Sequence, residues 1–76
     1  MKIVLCRVPV VDGVRQDGPR SYFAKYTAAG IPYFVAQVEK ARRFDGYQDA
    51  DYVALEKAMR ASVRFETFPV EARNDP

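Results

Sequence analysis

Seventy-six residues with twelve Lys and Arg, ten Asp and Glu, one cysteine and neither histidine nor tryptophan describe one small domain and exclude most ordinary catalytic chemistry. A folded chain of 8.6 kDa exposes roughly 4,700 Å² where the extended one exposes ~12,500 Å², so the core is thin. The net charge of +2 is too small to imply a nucleic-acid partner by itself, but residues 15–43 are basic and residues 44–76 acidic.

Lys2 to Val11 is rich in β-branched residues and sets Val4, Cys6, Val8 and Val10 on one face with Ile3, Leu5 and Val11 on the other, which predicts a strand covered on both sides. Pro9 lacks a ladder donor, so that end of the strand is expected at an edge or leaving the sheet. Asp12-Gly13 and Asp17-Gly18 ahead of Pro19 make 12–20 a loop. From Ser21, an N-cap candidate, the pattern predicts a short helix over 22–29, stopped by Gly30. Pro32 then opens a second helix, 32–44, with Phe34, Val35, Val38 and Ala41 as its apolar stripe and Glu39–Arg43 as an i,i+4 pair. Gly46 ends it. Asp49 caps a third helix from Ala50 to about Ala61, with Val53, Leu55, Ala58 and Met59 as its apolar side and Glu56–Arg60 as a second i,i+4 pair. Ser62 to Val70 alternates as a strand with one solvated face, and 71–76 reads as a frayed tail.

The expected fold is a single α+β domain over residues 1–70: N-terminal strand, three helices, C-terminal strand, with the terminal strands paired. A second reading folds Tyr22–Thr27 against Ile31–Val38 as a hairpin across Ala28-Ala29-Gly30, giving a β-meander followed by one helix and a last strand. The pattern of Pro, Gly and Ala-Gln-Val-Glu-Lys-Ala-Arg-Arg favours the helix over 32–44.

Histidine, the usual acid–base group near neutral pH, is absent, and Cys6 sits mid-strand among aliphatics, so no catalytic residue, cofactor or metal ligand is expected. Cys6 has no disulfide partner, and the run Ile3 to Cys6 is too short for a signal peptide or a membrane span, so the expectation is a cytoplasmic chain with no membrane contact. The acidic run Asp45 to Asp51 departs from the EF-hand order and reads as helix capping. Eight of the ten aromatic residues fall between 22 and 52, interleaved with Arg20, Lys25, Lys40, Arg42 and Arg43, and Tyr with Arg is the composition that interface hot spots favour. Phe23, Phe34 and Phe44 are read as core. Ala29-Gly30-Ile31-Pro32 between two predicted helices resembles the turn of a helix-turn-helix, with Tyr33, Gln37 and Lys40 on the second helix. The expected partner-binding set is therefore Tyr22, Tyr26, Tyr33, Gln37, Lys40, Arg42, Arg43 and Tyr47. It points to a small non-enzymatic protein-binding module, a regulator or inhibitor occupying a surface of a larger complex, of the kind phages and mobile elements encode. The alternative is a nucleic-acid-binding domain using helix 32–44.

Overall fold

A computed structural model of the chain describes residues 2–16, 18–61 and 64–72. The order of elements is β1 (Ile3–Val11), β2 (Val14–Arg15), β3 (Ser21–Tyr26), β4 (Pro32–Val35), a 3₁₀ turn (Val38–Lys40), α1 (Ala50–Met59) and β5 (Phe65–Glu71). They form a five-stranded antiparallel sheet with one helix on it.

β1 is the centre. Its even-numbered end residues bond toward β5, Val10 N–H donating to the Arg64 carbonyl and the Lys2 carbonyl accepting from Ala72, both at 2.8 Å. Its odd-numbered residues turn to the other edge, where Ile3 exchanges both backbone bonds with Phe44, Arg7 meets Ser21 of β3, and the Pro9 carbonyl accepts from Gln16 behind β2. Pro9 thus lies inside the central strand and not at an edge, and its register partner is Phe65. The Asp12-Gly13 pair closes a two-residue β1–β2 hairpin with both residues at positive φ, 52° and 77°, the twist-matched type I′ geometry.

The expected helices over 22–29 and 32–44 are strands, as in the hairpin reading, followed by a short 3₁₀ turn. Gly30 is left-handed at φ 78°, which serves a helix C-cap and a three-residue hairpin loop equally. Here it closes the loop, its N–H donating to the Thr27 carbonyl while Thr27 N–H donates to that of Ile31. Pro32 opens a strand instead of a helix. The aromatic and β-branched residues Tyr22, Phe23, Tyr33, Phe34 and Val35 suit a pleated surface better than a helix, so Phe34 and Val35 point to opposite faces, not along one stripe. With no α-helix over 32–44, Glu39 and Arg43 do not share a helical face and the helix-turn-helix resemblance has no structural basis.

α1 matches its expected start. The Asp49 carboxylate accepts from Asp51 N–H at the N-terminus, and Glu56 pairs with Arg60. Its buried face is Tyr52 and Leu55 with Met59 beside them, whereas Val53 and Ala58, expected inside, are exposed. These side chains close over Ile3, Leu5, Phe23 and Phe44, with Phe34 packed at the margin and only half-buried. β5 extends to Glu71, opposite Ile3, so Glu71 belongs to the sheet and not to a frayed tail; the expectations for Ser62, Val63 and 73–76 fall outside the described residues. Among the described residues no helix is long and apolar enough to cross a membrane.

Two expectations follow from this packing. Since Arg64 and Ala72 bond inward to β1, Pro69 turns its nitrogen to the outer edge of β5, removing one donor from an edge unpaired among the described strands. Pro69→Val restores that donor and is expected to raise self-association above wild type at equal concentration, read by sedimentation velocity. Tyr52 is 1% exposed, and its hydroxyl makes no hydrogen bond of good geometry, although the Glu56 carboxylate is near. Burial first, then Glu56, holds this phenol well above its ordinary value, and burial also raises the Cys6 thiol. The unfolded chain releases these protons at about pH 8.5 for the thiol and 10 for the phenol while the folded chain keeps them, so stability falls as pH rises through that range. Tyr52→Phe is expected to fold at least as stably as wild type, because it deletes an unsatisfied hydroxyl, and to show a shallower alkaline loss in urea titrations.

Candidate interaction surface

The face of the sheet away from α1 carries no described helix. Register places on it Val4 beside Val70, Val8 beside Glu66, and Val10 beside Arg15. Its central row runs across four strands: Phe68, Cys6, Tyr22 and Val35 stand side by side, a span of roughly 14 Å at the usual strand spacing. Alternation along β4 puts Tyr33 on the same face as Val35, opposite Lys25.

Cations rim this apolar floor. The Arg15 guanidinium lies 4.5 Å and that of Arg20 5.6 Å from the centre of the Phe68 ring, and the Lys25 ammonium is 5.8 Å from that of Tyr33. Each arrangement suits attraction of a cation to the negative face of the ring. Glu66 is the acidic side chain here, 3.8 Å from Arg15, and both are half-exposed, so the pair screens Arg15 weakly and contributes little. A depression of about 510 Å³ lined by Val8, Arg15, Gln16, Gly18 and Arg20 adjoins the row. Cys6 lies beneath these groups. Its burial outweighs the pull of Arg20 and Arg15 toward the thiolate, which leaves a protonated, enclosed thiol.

The expected partner-binding residues do not form one surface. Tyr22 and Tyr33 are on the open face. Tyr26 turns to the other side, edge-on to Phe23 at 5.1 Å, and Tyr47 packs edge-on against Tyr52 at 6.4 Å beside the start of α1. Arg42 ties the sheet to α1: its N–H donates to the Phe23 carbonyl, and its guanidinium lies over Phe44 and bonds Asp51 at 2.6 Å. Gln37, Lys40 and Arg43 are exposed around and after the 3₁₀ turn.

The acidic run is occupied from within. Lys2 pairs with Asp45, Arg42 with Asp51, and Asp49 accepts from the backbone of Asp45 and Asp51 at 3.0 Å each. The bond from Asp45 is the main reason the Asp49 carboxyl lies below its ordinary range. Among the described residues no cluster of three potential ligands is placed to hold a metal.

Set against protein-family models, curated proteins and solved structures, the chain matches none. Sequence reading missed Arg15, Arg20, Lys25 and Phe68 as members of the open face. The available signal was the Asp12-Gly13 hairpin, which carries Arg15 back over β1, together with the even-numbered alternation of β5.

Cys6→Ser is expected to lower stability by about 1–3 kcal/mol by setting a hydroxyl among aliphatic and aromatic neighbours. The native thiol is expected to react with a bulky reagent far more slowly than in urea, as followed by mass spectrometry.

Proposed function

We propose that this chain is a small non-enzymatic binding module whose open sheet face docks onto an acidic surface of a larger protein, as a regulator or inhibitor that occupies that surface. The observation that carries the reading is the four-strand row Phe68, Cys6, Tyr22 and Val35, uncovered by any described helix and rimmed by Arg15, Arg20 and Lys25. An apolar centre with Tyr and Arg at its border is the composition of interface hot spots, and a basic rim steers toward an acidic partner.

An open antiparallel sheet with aromatic and basic residues also suits single-stranded nucleic acid, which needs two or three bare rings on which bases stack. The geometry disfavours that partner. Phe68 already carries two guanidinium groups and Tyr22 is half-buried, so Tyr33, 49% exposed, is the open ring of this face.

The test is affinity capture from lysate in matched variants. Arg15→Glu with Arg20→Glu, and separately Tyr33→Ala, are expected to lose the captured protein at unchanged fold. A hot-spot ring is worth at least ~2 kcal/mol, roughly thirtyfold in affinity. Tyr47→Ala, beside α1, is expected to retain it. Capture that survives both face variants, or that vanishes on nuclease treatment, overturns the reading.

A further inference from the structure

Arg7 is the one charged side chain that β1 directs to the face covered by α1. Tyr52 and Leu55 close over Ile3 and Leu5, and Arg7 follows two residues along the same face. Its register neighbours are Ser21 on one side and Thr67 on the other. The guanidinium carbon lies 3.8 Å from the centre of the Phe34 ring and 4.2 Å from that of Phe65. Phe34 comes from β4 and Phe65 from β5, on opposite sides of β1, so the group is held between them. A guanidinium has five N–H donors in its plane. Nε donates to Ser21 Oγ at 3.2 Å, and no described protein acceptor takes the donors on the two Nη atoms. Among the described residues no carboxylate lies within ion-pair distance of it.

This is a costly place for a cation. It stands on the central strand, half-buried among rings, and burial pulls its pKa down. Phe34 and Phe65 confine the guanidinium between them, and the two Nη atoms along its edge are left without a described protein acceptor. Planar oxyanions meet that edge with two parallel hydrogen bonds, which are about twice as strong as neutral ones. We propose that Arg7, held between Phe34 and Phe65 with Ser21 fixing its Nε, is an oxyanion-binding site that takes a carboxylate or a phosphate group end-on through its two Nη atoms. It lies on the face opposite the proposed docking surface and is independent of it.

The experiment follows the arginine Nε–H resonances of the full chain by NMR during titration with acetate and, separately, with inorganic phosphate, at constant ionic strength. The Arg7 resonance is expected to shift saturably at an apparent affinity at least tenfold tighter than any response of Arg15 or Arg20, and the tighter arm identifies the kind of oxyanion. Arg7→Lys keeps the charge but loses the fork, and the saturable response of the neighbouring Phe34 and Phe65 ring signals is expected to fall at least tenfold. Linear shifts shared by all three arginines, or ring responses unchanged in Arg7→Lys, overturn the proposal. Should Arg7→Lys fail to fold, the comparison among arginines in the wild-type chain decides alone.

Discussion

Ile3, Val4, Leu5 and Cys6 are all fully buried, although consecutive residues of a strand point to opposite faces of the sheet. Both faces of the first half of β1 must therefore be shielded from water although the described residues offer one α-helix. α1 shields Ile3 and Leu5. On the other side Val4 stands beside Val70 of β5, and Cys6 between Phe68 of β5 and Tyr22 of β3. The long β1–β5 ladder and the wedge of residues 42–44 between β1 and β3 follow from the same demand, since a central strand with fully buried side chains must also satisfy its backbone on both edges.

Where local chemistry admitted one solution, it was readable. β1 followed from its β-branched run, and α1 from Asp49 and the Glu56–Arg60 pair. Pairing of the terminal strands was expected and is observed, and Phe23 and Phe44 are core. The middle of the chain was ambiguous for a physical reason. A left-handed glycine followed by a proline satisfies a helix stop and restart as well as a hairpin loop and strand start. Alanine, glutamine and lysine after Val35 then supplied helix propensity where only one 3₁₀ turn forms. What decides is non-local: Tyr22 pairs with Cys6 and Val35 at once, and no window of sequence contains that contact. The face of α1 was misjudged similarly, because Tyr52 was assigned to no stripe although it and Leu55 form the contact with the sheet.

The candidate surface was less legible than the fold. The density of tyrosine and arginine is visible in the sequence, but neighbours in sequence on a strand are not neighbours on one face. Alternation sends Tyr22 and Tyr33 to one face and Tyr26 to the other, across the irregularity between Phe23 and Lys25 in β3. Arg42, expected at a partner-binding surface, joins the sheet to α1 through the Phe23 carbonyl and the Asp51 carboxylate. Arg7 belongs to none of the expected sites, yet it makes the most enclosed cation–aromatic contact in the described structure.

Arginine is this protein's substitute for a second layer. Arg7 lies on Phe34 and Phe65, Arg15 and Arg20 on Phe68, and Arg42 on Phe44. A weakly hydrated guanidinium plane covers an aromatic ring at less desolvation cost than an ammonium would and leaves its edge in water. Such lids cover the rings of Phe34, Phe65 and Phe68, which are only half-buried. They also change what binding costs. A surface arginine free to rotate loses side-chain entropy when a partner fixes it, by about 0.5–1.5 kcal/mol each. Here that ordering is already supplied by the fold, because the rings that need covering hold the cations in place. A thin core and a preorganised basic surface are in this protein two results of the same contacts.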